Sequence, residues 1–81
     1  MPVVLYATQT CPYCHMARDY LKGLSVDFQE KDVGEDEAAA REMMDKSGQM
    51  GVPVIEVGDL VLVGFDRGAL DKALKDAGLL G

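Results

Sequence analysis

Apolar residues recur along this chain with two periods, and the changes of period mark its elements. "VVLY" (Val3 to Tyr6) is a continuous apolar run rich in β-branched residues. That pattern predicts a strand buried on both faces. From Pro12 the spacing becomes helical. Tyr13, Ala17, Tyr20, Leu21 and Leu24 form one stripe, with Arg18, Asp19 and Lys22 opposite. Gly23 is the expected stop. In "VDFQEKDV" the residues Val26, Phe28 and Glu30 share one parity, which predicts a second strand with one wet face. A second helix follows. Glu35 to Glu37 put negative charge in its first turn, Met43 and Met44 offer an apolar face, and Gly48 closes it. "PVIEV" and "LVLV" read as strands joined by the two-residue turn Gly58-Asp59. Asp66 is placed to cap a last helix with Leu70, Ala73, Leu74 and Ala77 on its core face and Gly78 at its end.

The order is β-α-β-α-β-β-α. The first βαβ should be parallel, and the hairpin must be antiparallel. A four-stranded mixed sheet with three helices on its two faces is expected, an α/β chain in the thioredoxin-like arrangement. It reads as one domain over residues 1–81, without repeats or linkers.

Composition narrows the function. Hydrophobic residues are 48% and charged residues 27%, ordinary for a globular protein. Net charge is −6, which disfavours nucleic acid and anionic membrane surfaces. No run of 18 apolar residues and no basic region leading into an apolar stretch is present, so neither a membrane span nor a signal peptide is expected. Two cysteines are too few for a disulfide scaffold. A bond between residues so close in sequence would also close almost no loop. A cytoplasmic monomer whose cysteines do chemistry is the expectation.

Those cysteines lie in "TCPYCH", residues 10 to 15, with the only histidine. Three chemistries use such a cluster. A closed zinc site wants four ligands, and Cys11, Cys14 and His15 give three. The haem-attachment pattern C-x-x-C-H is matched, but amid strand segments where a mainly helical protein would be expected. The redox reading fits the surroundings. Pro12 suits the first position of a helix. Cys11 is then the N-cap, and the backbone N–H groups of Tyr13 and Cys14 face its sulfur. Such a site lowers a thiol's pKa. Cys14 lies one turn inside, on the same face and more buried. Cys11 would attack a disulfide, and Cys14 would resolve the mixed disulfide. His15 could serve as a base for Cys14, but the plainer reading is an exposed helix residue turned away from the thiols.

"TCPYCH", with "GVPVIEV" and "VGFD" further on, resembles the glutaredoxin family over essentially the whole chain. The resemblance implies a thioredoxin fold with a cis-proline facing the thiols, here Pro53. The backbone of Val52 would then be open to glutathione or a substrate peptide adding as a strand. Otherwise Pro53 simply starts a strand. The family's G-G-x-D segment binds the γ-glutamyl end of glutathione. Here Gly64 and Asp66 are kept, while Val63 and Phe65 depart from it. Asp66 would take the ligand's ammonium, or act only as a cap. Tyr13 would line the same groove. Many members carry Lys where this chain has Thr8. Gln49 matches a position that often donates to the glutathione carboxylate, and Gly51 stands where Thr is common.

The resemblance implies a dithiol–disulfide oxidoreductase that reduces protein disulfides or glutathione mixed disulfides. It implies no permanently bound cofactor, with glutathione as electron donor. The "GF" of "VGFD" also resembles redoxins that are reduced by thioredoxin reductase and serve ribonucleotide reductase. A cluster-, metal- or haem-binding module, without enzymatic activity, is the alternative from another class.

Overall fold

The computed structural model describes residues 3–80. The elements are β1 (Val3–Ala7), α1 (Pro12–Gly23), β2 (Gln29–Asp32), α2 (Glu37–Ser47), β3 (Val54–Val57), β4 (Leu60–Val63) and α3 (Arg67–Asp76). Their order is the expected one. The sheet runs β2-β1-β3-β4. β1 pairs parallel with β2 and antiparallel with β3, and β3 pairs antiparallel with β4.

β1 is buried along its whole length, because it is an inner strand with helices on both sides. Alternate residues of a strand face opposite ways. Val3, Leu5 and Ala7 meet Cys14, Ala17 and Leu21 of α1 and Leu70, Ala73 and Leu74 of α3. Val4 and Tyr6 meet Met43 of α2. Two thin cores therefore share one sheet. Truncating a fully buried leucine such as Leu21 should cost about 2–5 kcal/mol.

Local chemistry sets the ends of the elements. Asp36 caps α2, accepting from the N–H groups of Ala38 and Ala39 at 2.9 and 3.2 Å. Asp66 caps α3 through the Ala69 N–H at 3.2 Å. Both caps satisfy donors that a helix start leaves orphaned. Gly48 ends α2 at φ 74. Gly58 holds φ 59 in the β3–β4 turn, the position where tight hairpins call for glycine.

Three expectations from the sequence need correction, and a fourth is refined. α1 ends at Gly23, but Gly23 does not make the closing turn; Ser25 takes the left-handed place at φ 57. Ser25 N–H bonds Lys22 O at 3.0 Å and Val26 N–H bonds Leu21 O at 3.2 Å. This is the Schellman closure, and Gly78 and Leu79 repeat it at the end of α3. Val26 and Phe28 are not strand residues. They pack into the α1–α3 core from the loop, and only "QEKD" pairs with β1. Tyr13 is 62% exposed and lies off the core stripe, which Cys14 occupies instead. Met44 is likewise exposed, while Met43 is fully buried.

Candidate functional site

The strand-to-helix handover delivers both thiols to one end of the sheet. Cys11 has an extended backbone, φ −89 and ψ 116, and is the N-cap of α1 with Pro12 at the first helical position. Its Sγ accepts the Cys14 N–H at 3.3 Å. Both thiols are free, Cys11 half-buried and Cys14 buried.

The two sulfurs have opposite environments. Burial works against a thiolate at Cys11. Hydrogen bonds from the Cys14 thiol and from the backbone N–H groups of Cys14 and Tyr13 outweigh it, and Cys11 sits below the ordinary thiol range. Burial and the bond to Cys11 push Cys14 up to about 11. Negative charge is thus favoured on the sulfur that solvent can reach, and the proton on the thiol behind it.

A second segment comes up to the pair from across the fold. The Val52–Pro53 peptide bond is cis, as the resemblance implied. The Val52 carbonyl oxygen stands 4.0 Å from Cys11 Sγ. Pro53 is buried, and its carbonyl accepts the Gly64 N–H at 2.8 Å. Gly64 holds φ 83, a conformation that favours glycine. Cys11, Cys14, Val52, Pro53 and Gly64 are thereby brought into one cluster.

Other candidates are engaged elsewhere. Gln49 turns back on its own loop. Its Oε1 accepts the Gly51 N–H at 2.7 Å, and its Nε2 donates to Gly51 O at 2.9 Å. Asp66 is the N-cap of α3, the plainer of its two readings. Phe65 packs against the core and meets Tyr20 edge-on, with ring centroids 5.8 Å apart. Arg67 lies over the other ring of that pair, 5.5 Å from the Tyr20 centroid. Lys46 is paired with Glu42 and Glu56.

His15 is exposed and has a positional use that the sequence did not suggest. Arg18 can only donate, so Nδ1 accepts from it at 2.9 Å. Nε2 then carries the proton and donates to Gln9 O at 2.7 Å. The ring ties the loop before Cys11 to α1. Arg18 in turn binds both carboxylate oxygens of Glu30 on β2. Arg18 at one turn beyond His15 was the available signal.

Thr8, Gln9, Thr10, Asp32, Gly34 and Glu35 line an open cleft of about 260 Å³ beside the thiol loop. It offers hydroxyls and carboxylates and contains no cation. A cleft of about 470 Å³ between β2 and α2 includes neither thiol. Among the described residues no group of three or more His, Cys, Asp or Glu side chains is placed to hold a metal ion. No described helix is long and apolar enough to cross a membrane.

Comparison with known proteins agrees with this fold. The glutaredoxin family model matches residues 3–62. Glutaredoxin 3 of Escherichia coli is 38% identical over 80 residues, covering 90% of this chain and 96% of that protein. The solved glutaredoxin of Archaeoglobus fulgidus superposes with a TM-score of 0.82 at 27% identity, over 90% of this chain and 85% of that one. The glutaredoxin-like NrdH-redoxin of Escherichia coli, which has a thioredoxin-like activity profile, superposes at 0.78 with 25% identity, over 89% and 93%. The family match over most of the chain, the 38% identity to a glutaredoxin and the shared thioredoxin-like fold together show that the chain belongs to the glutaredoxin family, the thiol–disulfide oxidoreductases of the redoxin fold.

Proposed function

We propose that this chain reduces disulfides by dithiol exchange, with Cys11 as nucleophile and Cys14 as resolving thiol. The observation that supports it most is the opposite environment of the two sulfurs. Cys11 thiolate attacks one sulfur of a substrate disulfide. A Cys11–substrate bond forms, and the other sulfur leaves as a thiolate and takes a proton. The mixed disulfide carries no charge on Cys11. The charge and the hydrogen bond that helped raise Cys14 are then gone, so Cys14 loses its proton more readily. The Cys14 thiolate attacks Cys11 Sγ and expels the second substrate thiolate. The substrate gains two electrons, and the chain is left with a Cys11–Cys14 disulfide.

That disulfide must be reduced from outside. The family points to glutathione as donor, with Val52, Pro53, Gly64 and Tyr13 lining its groove and no cofactor held permanently. Protein disulfides and glutathione mixed disulfides are the substrates in this reading, in the cytoplasm. A second reading has the chain reduced by thioredoxin reductase and serving ribonucleotide reductase. It is favoured by Thr8, where many relatives carry a cation, and by Gln49, whose amide is spent on Gly51.

One experiment separates them. A small disulfide substrate is supplied with either glutathione and its reductase or thioredoxin reductase alone. Turnover with glutathione alone supports the first donor, and turnover with thioredoxin reductase alone supports the second. Absence of turnover with both would sink the oxidoreductase proposal as stated.

A further inference from the structure

The loop between α2 and β3 carries Val52 to the thiols, yet it has no strand or helix of its own. Side chains hold it. Ser47, the last residue of α2, accepts the Gln49 N–H at 3.3 Å, and its hydroxyl lies 2.7 Å from Met43 O. At the far end Pro53 O is tied to Gly64. Between them the Gln49 carboxamide closes on both polar groups of Gly51. Only one orientation of that carboxamide serves, since the N–H needs an acceptor and the carbonyl a donor.

Gly51 is the complement of this clamp. Its backbone is not left-handed, so conformation does not demand glycine there. The nearest atoms a Cβ at Gly51 would meet all belong to Gln49, with Oε1 at 2.6 Å, Cδ at 3.6 Å and Nε2 at 3.9 Å. A side chain at Gly51 would therefore push the Gln49 carboxamide out of its place.

We propose that Gln49 is a positioning residue for disulfide exchange. It presets the Val52 peptide opposite Cys11 by clamping Gly51, and so favours partners that lay an extended backbone along this loop. The inference rests on the dithiol function proposed above. A preset edge spares an incoming peptide the ordering of the loop. A small disulfide without a backbone gains nothing from it.

The test is a square of four proteins: wild type, Gln49→Ala, Gly51→Ala and the double variant. Each is reduced and mixed with a cystine-bridged peptide and, separately, with bis(hydroxyethyl) disulfide. The ratio of the peptide rate to the small-disulfide rate should fall about threefold to tenfold in each single variant, the worth of an ordinary hydrogen bond or two. The double variant should match Gln49→Ala, because both changes break one clamp and the Ala side chain at 51 then has room. The pH midpoint of Cys11 alkylation by iodoacetamide should stay in place, since Gln49 is not among the groups that set it. Exchange of the Gly51 amide with deuterium should quicken in Gln49→Ala. An unchanged ratio, effects that add in the double variant, a shifted alkylation midpoint or unaltered exchange would each overturn the positioning role. Wild type inert toward both disulfides would instead remove the oxidoreductase proposal, and exchange at Gly51 would still report the clamp.

Discussion

Two regions of this molecule hold titratable groups far from their ordinary behaviour, and only one of them is built for chemistry. At the thiol end, burial and hydrogen bonds push Cys14 up to about 11 while Cys11 is held low. Under α2, Glu42 bonds Lys31 at 2.7 Å and Lys46 at 3.1 Å, and Lys46 also reaches Glu56 at 3.0 Å. The two ammonium groups hold Glu42 down to about 2, and Lys46 is raised by its two carboxylates. The shift at Glu42 is as large as the one at Cys14. Their cause differs. The ion network pairs each charge with its opposite and ties α2 to β2 and β3. The thiol pair favours charge on the sulfur that stays reachable, with hydrogen bonds and no counter-ion beside it. Perturbation by itself does not mark a reactive site, since structural ion-pair networks shift pKa values too.

Tyr6 shows the same contrast. Its hydroxyl is buried with no partner in hydrogen-bond geometry. Burial raises its pKa first, and the nearby Glu42 carboxylate adds to this while Lys46 opposes it. Lys31 lies over its ring, 5.8 Å from the centroid. The group is perturbed, but closed off from any substrate.

Substitutions can break this comparison. The largest effect should come from Cys11→Ser, which should lower disulfide reduction on the order of a thousandfold or more and leave the thermal midpoint close to wild type. Retained turnover would remove Cys11 as nucleophile. Cys14→Ala should next stop resolution and leave a mixed disulfide on Cys11, visible as added mass in intact-protein spectra. It should also raise the pH at which Cys11 is alkylated, because one hydrogen bond to the thiolate is gone. Finding no adduct would dismiss the resolving role.

Glu42→Gln should do the reverse and change stability but not turnover. Glu42 has a lowered folded pKa, so its contribution is complete above about 4.5 and fades as pH falls toward about 2. The side chain is about one-third exposed, so the loss at neutral pH should be about 0.2–1 kcal/mol and shrink in high salt. Denaturant titrations at pH 7 and pH 3 should show the variant converging on wild type at the lower pH. A constant gap would mean the ion pairs are not its source. The smallest effect is a gain. Ser25→Gly should stabilise by about 0.5–1 kcal/mol, since Ser25 holds a left-handed φ of 57 in a closure where Gly78 does the same work at the other helix. An unchanged or lower thermal midpoint would show that the serine side chain compensates.

Much was legible in the sequence because it is local. Pro12 after Cys11 gave the helix start, and Asp66 was legible as a cap, whereas Asp36, read as first-turn charge, is the cap of α2. The continuous apolar run of β1 announced an inner strand. The misread positions depend on what lies across the fold. "QEKD" is exposed or half-buried and owes its strand to pairing with β1. Tyr13 looked like a core residue but gave that face to Cys14.

By itself, then, the sequence determined the order of the elements, the thiol at a helix start and the thiol one turn inside, since these follow from neighbouring residues and the 3.6-residue turn. Only the tertiary structure decided which groups meet that thiol. It brought Val52, 41 residues away, to Cys11, and it spent Gln49 on Gly51. Spacing along a helix fixes direction within a few residues. Contact between distant segments is fixed by the packing of a whole core, which no short motif contains.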